Sequence, residues 1–237
     1  MSGDDSKARI RQRIWDRLES ERLARFPYPP HGRIPNFAGA REAALRLFEW
    51  PVLARARVIK VNPDAPQRPV RLEALRRGIQ VLVPTPRLRG GFYRLDPTRI
   101  AERDFSAAVS LSKLPRHAEA VALEALPTPD VLVVGSVAVS RAGARCGKGE
   151  GYADLEYGIL RSLGHPPMPV ATTVHDVQLV AQIPGDPTDL PISVIATPSA
   201  LFEVESPPPA PSGIDWDRLD AAALDEMPIL GELRRRL

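Results

Sequence analysis

The chain has 237 residues, of which 43% are hydrophobic and 26% are charged, with 32 basic and 29 acidic side chains. This composition is typical of a soluble globular protein that is long enough to bury a core. The single cysteine excludes an internal disulfide framework and a cysteine-based zinc site. No apolar run approaches the roughly 18 residues of a membrane span, and the polar N-terminus lacks a signal-peptide core, so we expect a cytoplasmic protein.

The N-terminal region predicts a helix that runs from about Lys7 to Ala24. Ser6 or Asp5 is a suitable N-cap because each has a short side chain with an oxygen acceptor. The apolar residues of this segment recur every four positions, which places them on one buried face. They are Ile10, Ile14 and Leu18.

Short apolar runs rich in β-branched residues come next, and such runs are typical of buried parallel strands. Helical patterns at 38–48, 71–77 and 152–163 lie before or between them, and Pro51 is expected to end the first. Strands that alternate with helices predict a three-layer α/β/α sandwich around a mostly parallel sheet. The predicted strands are 58–61, 79–83, 131–134, 170–174 and 193–196.

The domain organisation is predicted from the C-terminal region. Residues 205–213 contain a Pro-Pro-Pro-Ala-Pro run, which favours a stiff connector over a recognition motif. The tail beyond it is apolar enough to pack back onto the body, so we expect a single domain over 1–237. The apolar residues of the tail are Trp216, Leu219, Leu224, Met227, Ile229 and Leu230.

The loop Gly147-Lys-Gly-Glu-Gly151 carries the clearest chemical signal, because it opens directly into the predicted helix at 152–163. Three glycines at alternate positions let backbone N–H groups approach a phosphate, and the helix N-terminus and Lys148 add positive charge. The spacing is neither that of a Walker A loop nor that of the dinucleotide fingerprint. Phosphate binding is the interpretation we favour; the alternative is a glycine-rich helix start that serves packing.

Two residues beside this loop have both a structural and a chemical interpretation. Asp154, in the first turn of the predicted helix, either complements the helix dipole or ligates Mg²⁺ beside bound phosphates. Cys146 is either a reactive thiol near a helix start or a small apolar filler, and we favour the second.

Two further pairs follow predicted strands. Arg87 and Arg89 come after the strand at 79–83, where open α/β sheets bind ligands, and they either hold an anion or decorate a proline-stiffened turn. His175 and Asp176 follow the strand at 170–174. They suit acid–base chemistry or a structural role, and we favour the structural one because adjacent strand residues point in opposite directions.

The glycine-rich loop and the N-terminal helix both resemble motifs of a known family. Gly147-Lys-Gly-Glu-Gly-Tyr-Ala-Asp154 resembles the Gly-x-Gly-Gly-Gly-Tyr-Tyr-Asp-Arg signature of the 5-formyltetrahydrofolate cyclo-ligase family, and Lys7-x-x-Ile10-Arg11 is similar to its N-terminal basic motif. Longer blocks, such as 60–71 and 133–140, are similar to a divergent branch, the methenyltetrahydrofolate synthetase domain-containing proteins. The resemblance covers roughly 7–199 and implies the cyclo-ligase fold, which is similar to NagB, RpiA and CoA transferases.

The resemblance implies an ATP- and Mg²⁺-dependent conversion of 5-formyltetrahydrofolate to 5,10-methenyltetrahydrofolate, through phosphorylation of the formyl oxygen. By carry-over, Lys148 and Tyr152 are the expected catalytic residues, and Asp154 and Asp189 are the expected metal ligands. The tentative substrate contacts are Asn62, Arg68, Arg87 and Arg89. The residues expected to hold ATP are Lys7, Arg11, Gly147, Lys148, Gly149, Glu150, Gly151, Tyr152 and Asp154.

The chain departs from the family pattern in three places. Ala153 and Leu155 replace a Tyr and an Arg of the signature, and the family's Glu-x-x-Thr element has no counterpart after the strand at 58–61. Arg68 and Arg71 lie in that region instead, which predicts an acceptor more anionic than a pterin. We expect a monomer that binds a small molecule and no nucleic acid. The alternative is a non-catalytic nucleotide-binding module that regulates a partner or associates with RNA.

Overall fold

The computed structural model describes residues 6–219 and 221–237. In the first helix Ile10, Ile14 and Leu18 are buried, as their spacing predicts. The Ser6 side chain accepts a backbone N–H as the N-cap, whereas the alternative cap, Asp5, lies outside the described residues. The α-helices are α1 (Lys7–Ser20), α2 (Ala40–Leu47), α3 (Pro51–Ala54), α4 (Arg68–Arg76), α5 (Phe105–Ala108), α6 (Tyr152–Ser162), α7 (Ala221–Glu226) and α8 (Pro228–Arg234).

The strands form one large sheet and two small ones within the described residues. In chain order they are β1 (Ala24–Arg25), β2 (Asn36–Phe37), β3 (Val58–Val61), β4 (Gln80–Pro84), β5 (Phe92–Leu95), β6 (Glu119–Val121), β7 (Val131–Val134), β8 (Ala138–Ser140), β9 (Arg145–Cys146), β10 (Val170–Thr173), β11 (Leu179–Val180), β12 (Val194–Ala196) and β13 (Leu201–Glu203).

The large sheet has eight strands in the order β13-β12-β10-β7-β3-β4-β5-β6. Its inner strands, from β12 to β4, pair in parallel, and these are the five strands that the sequence predicts. The outer strands β13, β5 and β6 pair antiparallel, and the sequence analysis did not predict them. Their exposed or mixed burial explains this, because a short strand that is not buried on both faces lacks a continuous apolar run.

Helices cover both faces of this sheet, which confirms the predicted α/β sandwich. Along each strand the side chains alternate between two cores. Ile59, Val61 and Val133 face a core shared with α2 and α4, whereas Leu132 and Val134 face a core shared with α6 and α8. A third core holds α1 against β1, β2 and the small sheet β11-β8-β9. This contact brings the N-terminus of α1 close to the end of β9.

Two predicted boundaries move in the structure. The first helix ends at Ser20 rather than at Ala24, because Arg22 adopts a left-handed backbone (φ 56°) and Ala24 begins β1. Pro51 does not terminate the second helix, which ends at Leu47. Instead it begins α3, where a residue without an N–H is accommodated in the first turn.

The proline-rich connector separates the body from a C-terminal strap, which we define as residues 214–219 and 221–237. Residues 205–210 are exposed and form no regular structure. Met227, Ile229, Leu230 and Leu233 of the strap are buried in the core shared with α6. The strap therefore contributes to the hydrophobic core of the body.

Among the described residues, no helix combines the length and the apolar character needed to cross a membrane.

Candidate functional site

The glycine-rich loop runs from Gly147 to Gly151 between β9 and α6. Gly149 (φ 112°) and Gly151 (φ 72°) both have left-handed backbones, in which a side chain would be strained. Gly151 is the N-cap of α6, so the loop leads into the positive end of the helix dipole. Between β7 and this loop the chain forms the hairpin β8–β9, which brings the loop beside α1.

The loop forms one wall of a cavity of about 560 Å³, which is within the size range of small-molecule sites. The start of α1 forms a second wall, and the ends of β3 and β4 supply the floor and a third wall. The carboxyl ends of parallel strands are the usual ligand-binding edge of such sheets. The predicted site residues that line this cavity are Lys7, Arg11, Asn62, Arg87, Gly147, Lys148, Gly149, Glu150, Gly151, Tyr152, Asp154 and Asp189.

The cations of the cavity are paired within the protein. Lys7 Nζ lies 2.5 Å from both carboxylate oxygens of Asp189, and Lys148 Nζ lies 2.7 Å from Glu150. Arg11 donates its Nε–H to the carbonyl of Gly147 (2.7 Å), which fixes its guanidinium against the loop. An anion that binds here must exchange with these carboxylates, because an ion pair and a phosphate compete for the same N–H groups.

Asp154 is also paired. Its Oδ1 accepts a hydrogen bond from Arg145 Nη2 (2.8 Å) and another from the backbone N–H of Leu190 (2.8 Å). No group of three or more His, Cys, Asp or Glu residues that could hold a metal occurs in the described part of the chain. The carboxylates Asp154 and Asp189 are hard oxygen donors in one cavity with the glycine-rich loop, Lys7 and Lys148. They fit Mg²⁺ as an ion shared with a nucleotide, since Mg²⁺ commonly takes one or two carboxylates and completes its shell with phosphate oxygens and water.

A buried polar network forms the floor of the cavity. Lys60, in the middle of the apolar strand β3, is fully buried and paired with Glu156 of α6. Asn62 links them, because its Oδ1 accepts from Lys60 (3.0 Å) and its Nδ2 donates to Glu156 (3.3 Å). Burial raises the pKa of Glu156 and lowers that of Lys60, while their mutual attraction opposes both shifts. The network therefore holds the Asn62 amide in one orientation at the cavity surface.

Asp64 adds a further carboxylate to the cavity wall. Burial raises its pKa, against the opposing attraction of Lys148 and Arg71. Asp64 thus places a carboxylate at the floor within the electrostatic reach of Lys148 of the loop.

Two ion pairs from the C-terminal strap lie at the mouth of the cavity. Arg218, which lines it, lies 2.6 Å from Asp186. On another wall Glu226 lies 3.0 Å from Arg87. The strap therefore contacts two separate loops that border the site.

The sequence model of the 5-formyltetrahydrofolate cyclo-ligase family matches residues 4–198. The chain belongs to this family. The match includes α1, the glycine-rich loop and all the parallel strands of the large sheet, and it ends before β13 and the strap. The resemblance that the sequence motifs indicate is confirmed.

Relatives within the family include the methenyltetrahydrofolate synthase domain-containing proteins of Mus musculus, 45% identical, and of Homo sapiens, 41% identical. Each alignment covers 98% of this chain, strap included, but only 64% and 62% of the relative. The chain thus spans less than two thirds of the length of these relatives. The 5,10-methenyltetrahydrofolate synthetase of Aquifex aeolicus has a similar structure (TM-score 0.53, 15% identity) that covers 90% of this chain and 99% of that one.

Two predicted substrate contacts do not line the cavity. Arg68 is exposed at the start of α4, where it donates to the Ser106 carbonyl (3.0 Å) and hydroxyl (2.9 Å). Arg89 is exposed on the loop after β4. Both arginines follow the end of a strand, where such sheets usually bind ligands, but the turns after β3 and β4 direct their side chains away from the cavity.

Arg71 differs from the expectation of an anion-binding guanidinium. It is buried and donates to the carbonyls of Asn62, Asp64 (3.3 Å) and Val109 (3.3 Å). Burial lowers its pKa to about 10, so it remains charged at neutral pH. It fixes the turn that presents Asn62 and Asp64, and its charge does not invert the sign of this end of the cavity.

Cys146, His175 and Asp176 do not line the cavity. Cys146 is buried, and burial raises the pKa of its thiol. The ring of His175 accepts the N–H of Val177 (3.2 Å) and caps a short 3-10 turn, while Asp176 accepts the Ser199 hydroxyl. The structural interpretation of all three residues agrees with these contacts.

Several residues in and beneath the cavity could not be identified from the sequence motifs. A lysine inside an otherwise apolar strand was a usable signal for Lys60, because a buried cation requires a partner. The remaining residues belong to separate elements that meet only in the fold, and no local pattern marks them. They are Asp64, Arg145, Glu156, Asp186 and Arg218.

Proposed function

We propose that this chain is an ATP- and Mg²⁺-dependent 5-formyltetrahydrofolate cyclo-ligase-like enzyme that acts as a cytoplasmic monomer. The observation that carries the proposal is the convergence of Lys7, Arg11 and the loop Gly147–Gly151 on one cavity at the N-terminus of α6. These groups belong to elements far apart in the sequence. Backbone N–H groups, a helix dipole and three cations are what a polyphosphate requires.

In the proposed mechanism these groups bind and neutralise the phosphates of ATP. Lys148 exchanges Glu150 for the γ-phosphate, and Lys7 exchanges Asp189. Arg11 stays bonded to the loop and stiffens it around the phosphates. Phosphoryl transfer needs positioning and charge neutralisation more than covalent help from the protein, so such a site suffices for the transfer of the γ-phosphoryl group to the formyl oxygen.

Tyr152 supplies a hydrogen-bond donor beside the loop. Burial, together with the nearby Glu226 and Glu150, raises the pKa of its phenol, so the hydroxyl stays protonated at neutral pH. It can donate to charge that develops on the transferring group. Asp154 and Asp189 would hold Mg²⁺, which when bound neutralises charge on the β- and γ-phosphates.

The acceptor binds between the floor and the loop. Asn62 offers an amide held by Lys60 and Glu156, and Asp64 offers an acceptor for N–H groups. Arg87 at the mouth offers a cation to an extended anionic tail. Within this arrangement the N10 nitrogen attacks the activated formyl carbon and expels phosphate.

The direct test is calorimetric titration with Mg-ATP of the wild type and Lys148→Ala. We expect the substitution to weaken binding about tenfold or more, because a charge-assisted contact to phosphate contributes about 1.5–3 kcal/mol. Lys113→Ala, at an exposed position that does not line the cavity, is the control and should bind as the wild type does.

Activity is then followed as ADP release and methenyl absorbance after addition of 5-formyltetrahydrofolate. Folate-stimulated turnover supports the enzyme. ATP binding without turnover instead supports the non-catalytic nucleotide-binding module, and absence of ATP binding contradicts both.

A further inference from the structure

The C-terminal strap crosses α6 at a close approach before it reaches the cavity. Ile214 donates its N–H to the Ser162 hydroxyl (3.1 Å). A side chain at Gly158 would meet Ile214 Cδ1 at 2.7 Å and the Gly213 carbonyl oxygen at 3.1 Å, so the strap lies directly on the helix backbone. This seat fixes the position from which the next residues extend toward the cavity mouth.

Arg218 extends from this seat onto the loop between β11 and β12. Its Nη1 lies 2.6 Å from Asp186 Oδ1 and 3.2 Å from the Thr188 hydroxyl. Its Nε lies 3.3 Å from Asp215 of the strap itself. The guanidinium therefore links the two segments, with Nη1 bound to the loop and Nε bound to the strap.

Asp186 begins a turn that leads to the phosphate-binding groups. Its Oδ1 accepts the N–H and hydroxyl of Thr188, and its own N–H donates to Asp189 Oδ2 (2.7 Å). Asp189 in turn holds Lys7 (2.5 Å). A continuous chain of polar contacts thus connects Arg218 to the N-terminus of α1.

The same turn supports the other side of the site. The N–H of Leu190, next to Asp189, donates to Asp154, which also accepts from Arg145. The positions of both carboxylates expected to ligate the metal, Asp154 and Asp189, thus depend on the position of residues 186–190. The family sequence model ends at 198, so the arginine that anchors this turn lies outside it.

We infer that Arg218 of the C-terminal strap is a positioning residue for the nucleotide site, because it holds the 186–190 turn where Asp189 receives Lys7. The inference rests on the proposed function in so far as the ligand is Mg-ATP. The strap thereby supplies part of the support for phosphate binding from outside the residues that the family sequence model matches.

The test compares Arg218→Ala, Arg218→Lys and the wild type in two measurements. The first is acylation of Lys7 by an N-hydroxysuccinimide ester, quantified by peptide mass spectrometry relative to exposed Lys113. We expect Arg218→Ala to raise it about two- to fivefold, the range for loosening a partly exposed ion pair. The second is calorimetric Mg-ATP affinity, which we expect to fall about tenfold, as is typical when a residue that orients ligating carboxylates is lost.

Arg218→Lys retains a cation within reach of Asp186 but loses the forked guanidinium that also contacts Asp215, so both measurements should fall between those of the wild type and Arg218→Ala. Arg236→Ala is the matched control, because Arg236 is also a half-exposed strap arginine with two carboxylate partners, Glu124 (3.0 Å) and Glu232 (2.7 Å), but does not line the cavity. It should change neither measurement. Circular dichroism and thermal unfolding verify that each variant is folded.

The inference is overturned if either measurement on Arg218→Ala keeps its wild-type value, or if Arg236→Ala changes them as much. If the wild type does not bind Mg-ATP, the proposed function is wrong. Acylation of Lys7 then still decides whether Arg218 positions that lysine, since the labelling requires no nucleotide.

Discussion

For single residues of this protein, the effect on stability depends on whether a buried charged side chain has a partner of opposite charge. Lys60 and Glu156 come from β3 and α6 and neutralise each other away from water. The pair costs desolvation energy, which makes it a poor source of stability, yet it orients Asn62 at the cavity surface. The Lys60–Glu156 pair therefore serves mainly to fix the geometry of the site. Removing only one partner is costly, because the other charge is then buried without a counter-charge.

We predict that Glu156→Ala lowers the free energy of unfolding by about 3–5 kcal/mol, because it leaves Lys60 buried without its counter-charge. The double substitution Lys60→Met with Glu156→Leu should be much less destabilised, since no charge remains to be desolvated. Urea denaturation measures both. Glu73→Ala, which breaks surface pairs with Arg76 and Arg77, is the control and should cost about 1 kcal/mol or less. Equal losses in the single and the double variant would contradict the explanation.

A second prediction concerns Asp186, whose pKa is lowered to about 2 by the Thr188 backbone N–H first, then by the Thr188 hydroxyl and by Arg218. A folded-state pKa below the unfolded value of about 3.8 means that Asp186 contributes stability above that pH. This contribution is lost as the pH falls from about 4 toward 2. Carboxyl-carbon NMR titration should therefore show the group ionised until near pH 2, and Thr188→Val should raise its pKa. A wild-type midpoint near 4 would show that the turn does not form as described.

Whole elements are positioned by close contacts between backbones as well as by the packing of their apolar faces. α6 carries the glycine-rich loop at its N-terminus and the strap on its surface, and Gly158 is the residue that lets the strap come so close. The periodic apolar pattern predicts α6 and its start correctly, because both depend on local sequence. The seat of the strap cannot be predicted from that pattern, since it pairs residues more than fifty positions apart.

We predict that Gly158→Ala destabilises the protein by about 1–3 kcal/mol, although helix propensity alone favours alanine by about 1 kcal/mol. The added methyl would meet the Gly213 backbone at 3.1 Å, and backbone cannot rotate away as a flexible side chain can. Thermal unfolding and the rate of proteolysis within the connector at 205–213 measure the effect. Gly185→Ala is the control because nothing lies within 4 Å of its added methyl. A more stable Gly158→Ala would show that the strap does not sit there.

At the scale of the whole molecule, the parallel core and the glycine-rich loop at the start of α6 follow from the sequence, whereas most of the site's polar contacts do not. Continuous apolar runs identify the five inner strands because burial on both faces is a local property of each segment. The pairs Lys60–Glu156, Arg87–Glu226 and Arg218–Asp186 each join two elements that are distant in the chain. Apart from Lys60, which interrupts an apolar strand, these charged residues are indistinguishable in sequence from solvated ones, and only the topology brings the partners together.

The proline-rich connector has a consequence for how the strap and the body meet. A short stiff tether keeps the strap close to its seat, so that docking behaves as a reaction at an effective concentration of roughly millimolar, independent of how dilute the protein is. A single peptide bond cut within 205–213 would change docking from a first-order to a second-order process. The protein concentration would then determine the fraction of molecules in which Arg218 occupies the mouth of the cavity.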